Sequence, residues 1–180
     1  MPDFSGLDDA LLVEHARQNP DAFGALYRRY LTPLYRYLYH RLGSPQDAED
    51  LTAQVFTEVL EGLATHRYRE GGCFAAWMFT IARRRSVDFY RQRPVVSLTD
   101  PPSPEPGLLE ALEKGENLKR LARLLANLDV DREELLRLRF SAGLSFSEIG
   151  QIEGKSEAAV KMALYRTLDA LRAQWEVENE

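Results

Sequence analysis

Between Trp77 and Arg93 the chain reads WMFTIARRRSVDFYRQR, where five arginines and one aspartate give a local balance of +4 and aromatic rings recur among them. Guanidinium groups neutralise phosphates, and exposed rings offer a stacking surface to an unstacked base. The pattern therefore suits nucleic-acid binding rather than bond-making chemistry. On a helical wheel, Phe74, Met78, Ile81, Ala82 and Phe89 fall on one side, with Trp77 at its edge. Phe79, Arg83, Val87, Tyr90 and Arg91 fall on the other, with Arg84 beside them. The first set predicts a core face and the second an outward one. A solvated, charged surface helix has the same spacing, and this helix by itself does not decide between the two.

Other chemistries lack their residues. The single cysteine, Cys73, cannot form an internal disulfide, and His15, His40 and His66 are too scattered for a metal site. No nucleophile or pair of acids stands in a catalytic spacing, so neither an enzyme nor a cofactor is expected. At 180 residues, 44% hydrophobic and 28% charged, the chain has room for one or two soluble domains. No apolar run approaches the roughly 20 residues that span a membrane, and no signal peptide is visible, so a cytoplasmic location without membrane insertion is expected. The net charge of −5 argues against tight duplex binding by the chain alone. Charge is segregated, however: Ser44 to Gly62 holds five acids and no base. One partner for the basic strip and another for the acidic strip would account for this.

These strips need helices to position them. Gly6 to Asn19 reads as a short helix with Asp8 and Asp9 near its positive end. Asp21 to Leu42 repeats apolar residues at helical spacing, with a kink or fresh start expected at Thr32-Pro33. Ser44-Pro45-Gln46-Asp47 starts the acidic helix with a cap and a first-turn proline. Its apolar stripe leaves Asp47, Asp50, Gln54, Glu58 and Glu61 along the opposite side. Gly62 to Cys73 is a glycine-containing loop with His66, Arg67, Tyr68 and Arg69, a composition that fits a pocket for a flipped-out base or a plain surface connector. After Arg93, PVVSLTDPPSPEPG reads as an extended, flexible linker and marks a domain boundary. Helices are predicted again over Leu108 to Leu128 and Asp131 to Phe140, with a break at Ala142-Gly143.

The most specific geometry follows. Ser145-Phe146-Ser147-Glu148 is a capping box opening a short helix, Glu153-Gly154-Lys155 makes a turn, and Ser156 caps a long helix with Val160, Leu164, Leu168, Leu171 and Trp175 in one stripe. This describes a helix-turn-helix, with Gly150 small where two helices approach and Gly154 supplying the turn. The first turns of its second helix enter the major groove in such a unit, which nominates Ser156, Glu157, Ala158, Lys161, Met162 and Tyr165, with Arg166 near the backbone. Glu153 and Lys155 stand where apolar residues are usual, and the helix is short of basic residues.

Taken in order, DAEDLTAQVF, the glycine-containing loop, WMFTIARRRSVDFYRQR, the proline-rich linker and LSFSEIGQIEGKSEAAVKMALYRTLDALR resemble a group-four, extracytoplasmic-function sigma factor of bacterial RNA polymerase from about Asp21 to Arg172. The resemblance implies an all-α protein of two helical domains. Residues 1–93 would be a region-2-like domain, 94–107 the linker and 108–180 a region-4-like helix-turn-helix domain. By position, Asp47, Asp50, Gln54 and Phe56 inherit binding to core RNA polymerase. Tyr68, Phe79, Arg83, Arg84 and Tyr90 inherit capture of minus-ten promoter DNA, and the helix-turn-helix inherits the minus-thirty-five element. An anti-sigma factor is a further expected partner, and a free-standing helix-turn-helix regulator is the alternative. Arg84 stands where many members have asparagine, and Met162-Ala163 where Ser-Arg is common.

Overall fold

A computed structural model describes Phe4, residues 6–65, 67–68, 71–92 and 108–177, with side chains in the last stretch from Gly115 onward. The linker over 94–107 lies outside the described residues, as do Arg93, His66 and Arg69. Every regular element among the described residues is helical, as the periodicity predicts.

Helix α1 (Asp9–Ala16) starts at Asp8, whose carboxylate accepts from Leu11 N at 2.9 Å, and buries Leu12, Val13 and Ala16. Helix α2 (Pro20–Leu42) runs through Pro33 without a fresh start. Proline removes one N–H from the ladder, but Tyr30, Leu34, Tyr37 and Leu38 are buried on either side of it and hold the helix in register. Gly43 ends α2 at φ +70°, a left-handed conformation that disfavours any side chain.

Helix α3 (Pro45–Ala64) has Ser44 at its cap, accepting from Asp47 N at 3.3 Å. Its apolar stripe of Ala48, Leu51, Val55, Val59 and Leu63 is buried as the spacing requires. Glu58 departs from the expected solvated acidic side: it is 9% exposed, because it faces arginines on the next helix. That helix, α4 (Phe74–Gln92), packs against α2 and α3 on one flank and against the carboxy-terminal half on another.

In the carboxy-terminal half, α5 (Leu108–Ala126) leads to α6 (Val130–Leu136), capped by Asp129. The helix predicted to reach Phe140 instead widens into a π-helical turn over Arg137–Ser141. Ala142 N donates to Arg137 O and Leu144 N to Leu138 O, and Gly143 reverses the chain at φ +72°. Helix α7 (Phe146–Glu153) opens with the full capping box: Glu148 N donates to Ser145 Oγ, and Ser145 N donates to the Glu148 carboxylate. Gly154 turns the chain at φ +66°, and Ser156 Oγ accepts from Ala159 N in the first turn of α8 (Glu157–Val177).

A Cβ on Gly150 would lie 2.7 Å from the Lys155 carbonyl oxygen, so the turn folds directly over that glycine. The buried residues of the two halves form one continuous cluster, from Leu12 and Leu38 through Phe79 to Leu138, Ile149 and Leu164. None of the described helices is long and apolar enough to cross a membrane, and no group of metal-ligating side chains occurs among the described residues.

Candidate nucleic-acid interface

Helix α4 is formed by the apolar period read from the sequence, but its second face is not outward. Phe79 is fully buried, 5.5 Å from Tyr37 and edge-on to it. Tyr37 is also fully buried, and its hydroxyl donates at 2.6 Å to Glu134 of α6. Phe79 is therefore a core ring here rather than a stacking surface, because Tyr37 of α2 packs on the face that the wheel assigns to solvent. Tyr68 is a second correction. It is 5% exposed, packed against Phe74 and Trp77, with its hydroxyl donating to the Gly72 carbonyl.

The arginines of α4 meet acids from two directions. Arg84 and Arg85 both donate to Glu58 of α3, Arg85 Nε at 2.7 Å. Burial alone would raise the Glu58 pKa, but the hydrogen bonds from Arg85 and Arg84 outweigh it and hold the carboxyl below its ordinary value. Arg83 turns the other way. Its Nε lies 3.9 Å from Glu134 and its Nη1 3.4 Å from Glu153 at the end of α7. Tyr90 remains 44% exposed, its hydroxyl donating to the Arg41 carbonyl.

Glu134 is the centre of this arrangement. It is 1% exposed and receives Tyr37 on one oxygen and Arg41 on the other, with Arg137 Nη1 at 3.7 Å. Burial, and then the adjacent Glu134 carboxylate, push the Tyr37 phenol above its usual range, so it stays protonated as a donor. Sequence reasoning missed Glu134, and a signal for it existed. An acid one residue before Leu135 and four before Leu138 sits on the apolar stripe of α6, where an unpartnered charge would be too costly to bury. Glu153, at a turn position that is usually apolar, is explained the same way: it pairs with Arg83 across the domains and with Lys155 at 2.9 Å.

The loop before α4 borders an open cleft of about 260 Å³, lined by Arg67, Tyr68, Cys73, Trp77 and Thr80, with Gln151 of α7 at its other side. Cys73 is half-buried there, its Sγ 3.9 Å from a Glu148 carboxylate oxygen.

On α3, Asp50 and Gln54 are exposed and Asp47 is half-buried, whereas Phe56 is buried against Tyr27 with ring centroids 4.5 Å apart. Phe56 thus belongs to the core rather than to a docking surface, since it shares the stripe with Val55 and Val59. On α8, Ser156, Glu157, Ala158, Lys161, Met162, Tyr165 and Arg166 are all exposed along one side. Met162 and Tyr165, at 54% and 52%, are large apolar groups left open on the helix that a helix-turn-helix presents to DNA.

The fold and these surfaces define a two-part, all-α chain with a basic helix in one part and a helix-turn-helix in the other. The Sigma-70 region 2 family matches residues 26–94, and the Sigma-70, region 4 family matches residues 118–171. The ECF RNA polymerase sigma factor ShbA of Streptomyces griseus is 35% identical over 153 residues, covering 77% of this chain and 79% of that protein. The ECF RNA polymerase sigma factor BldN of Streptomyces coelicolor is 36% identical over 171 residues, covering 89% of this chain; the chain spans 63% of BldN's length. The chain belongs to the extracytoplasmic-function sigma factors of RNA polymerase. Among solved structures, CnrH in complex with the cytosolic domain of CnrY has the same fold, with a TM-score of 0.69 at 24% identity, covering 94% of this chain and 97% of that one.

Proposed function

We propose that this chain binds core RNA polymerase in the cytoplasm and directs promoter-specific initiation, making no bond with its own side chains. The exposed start of α8 would read minus-thirty-five DNA, with Lys161 and Arg166 on phosphates and Met162 and Tyr165 against base edges. Arg83, Arg84 and Tyr90 of α4 would hold the minus-ten strand once it is unpaired, and Asp50 and Gln54, with Asp47 beside them, would dock on the polymerase. The single observation that carries the reading is the pairing of a region 2 match with a region 4 match on the two helical parts. An anti-sigma partner is proposed by analogy with CnrH, which was captured with the cytosolic domain of CnrY.

Run-off transcription with purified core polymerase tests it. Promoter-dependent transcripts that require this chain are expected. DNA binding by the chain without any effect on initiation would favour a free-standing regulator instead.

A further inference from the structure

We propose that Arg84 selects a guanine in the unpaired strand and that Glu58 is the positioning residue that aims it. The inference rests on the reading of α4 as a strand-binding element and adds its base preference.

Helices α3 and α4 meet at two successive points. Near the start of α4 the indole of Trp77 lies over Gly62 of α3, and two turns further on Arg84 donates to Glu58 of the same helix. Trp77, Thr80 and Arg84 are spaced by three and four residues, so they share one side of α4. Trp77 and Thr80 also line the open cleft of about 260 Å³. An aromatic wall against which a base can stack and a guanidinium that can grip its edge therefore stand along one side of the helix.

Arg84 is tethered at one atom. Its Nη2 donates to Glu58 Oε1, while Arg85 Nε donates to Oε2 at 2.7 Å, so both oxygens of the carboxylate are in use. Glu58 is itself buried, and its carboxylate is a fixed anchor rather than a mobile counter-ion. A guanidinium has five N–H donors. Four of those on Arg84 are left over, no other hydrogen-bond partner for it occurs among the described residues, and the side chain is exposed. A long side chain that grips a ligand ordinarily gives up rotamer freedom at that moment. Glu58 has removed part of that freedom in advance, which is preorganisation.

What Arg84 presents is a planar fork of donors with no acceptor. On its O6 and N7 edge guanine offers two neighbouring acceptors, which such a fork matches. Adenine sets an amino donor beside N7, cytosine presents an amino donor, and thymine places a methyl group beside O4. The fork thus selects guanine. Asparagine, which many members of the family have at this place, combines a donor with an acceptor and matches adenine instead.

The test uses the full chain bound to core RNA polymerase, with core polymerase alone as the blank. The probes are fluorescent thymidine strands of about twelve nucleotides, within the usual span of single-strand sites, each carrying one guanine, adenine or cytosine. A thymidine host leaves the register free, so the single odd base can settle at Arg84. The wild type is expected to bind the guanine strand at least about fivefold more tightly than the adenine strand, the low end of what one bidentate pair distinguishes. Arg84→Asn is expected to turn the preference to adenine. Glu58→Gln has one carbonyl oxygen for two arginines, so its guanine-to-adenine ratio is expected to fall toward one. Loss of a negative charge should meanwhile leave its affinity for the all-thymidine strand equal or higher, which a merely damaged fold would not do. Arg85→Gln, which leaves the Arg84 tether in place, is expected to keep the ratio. Helix content by circular dichroism establishes that each variant is folded. An unchanged ratio in folded Glu58→Gln would overturn the positioning role. A wild type that prefers cytosine or adenine, or has no preference, would overturn the guanine assignment while leaving α4 as a strand-binding element. Strand binding no stronger than that of core polymerase alone would overturn the reading of α4 itself, and this inference with it.

Discussion

Glu58 of α3 accepts a hydrogen bond from Arg85 of α4 at 2.7 Å while its other oxygen accepts from Arg84, so one carboxylate fixes two consecutive guanidinium groups. This pairing sets the direction of the basic helix as well as joining it to α3. Glu58→Gln is expected to destabilise the chain by about 1–2 kcal/mol in urea titrations. The figure is modest for a 9% exposed acid because its arginines remain 58% and 43% exposed, which discounts the pair. The loss has a pH signature. The Glu58 pKa is depressed in the folded chain below its ordinary value of 4.5, so its contribution is complete above that value and disappears as pH falls through the lower, folded one. The stability gap between wild type and Glu58→Gln is therefore expected to narrow on acidification from pH 4.5 downward, and a gap constant with pH would contradict the pairing.

Gly62 lies under Trp77. A Cβ built on it comes within 2.7 Å of the indole ring, which itself packs on Tyr68 and Phe74. Gly62→Ala is expected to push the indole out of this stack and cost about 1–3 kcal/mol by overpacking. Near-ultraviolet circular dichroism should lose aromatic signal together with the drop in thermal midpoint. A stack left intact in that spectrum would mean that α3 and α4 can separate freely at this point.

The role proposed for the exposed start of α8 implies two kinds of DNA contact that can be told apart. Lys161→Ala is expected to weaken binding of the polymerase-bound chain to minus-thirty-five duplexes of any sequence, and to reduce the salt slope by about 1. Tyr165→Ala is expected to lower the preference for the cognate element and leave the slope alone. Fluorescence anisotropy across a salt series distinguishes them.

Much of the helical scaffold was legible because it depends on local signals. The Ser44, Ser145 and Ser156 caps, the turn at Gly154 and the stripe of Ala48, Leu51, Val55 and Val59 each lie within one turn or two of the chain. The exposure of the first turns of α8 was legible for the same reason. What periodicity could not supply was the second neighbour of α4. Phe79 obeys helical spacing for an outward face, yet it is buried because Tyr37, on another helix, packs edge-on against it. Tyr68 is drawn into the core by the adjacent ring of Phe74, whereas Phe56 packs on Tyr27 as its place in the apolar repeat of α3 requires. Pro33 shows the converse: the fresh start it could impose does not occur, and one helix continues through it with buried residues on both sides.

The contact between Tyr37 and Glu134 spans 97 positions of one polypeptide. Two parts of the same chain are always present at a ratio of one to one, and their packing together is a unimolecular equilibrium. Making more of the protein cannot dilute it or saturate it. The balance between packed and separated halves is consequently set by the strength of a few side-chain contacts, with each doubling in length of a flexible connection shifting such a balance by only about 0.6 kcal/mol. Abundance sets how many molecules there are, while this equilibrium sets what fraction of them has the two halves packed together.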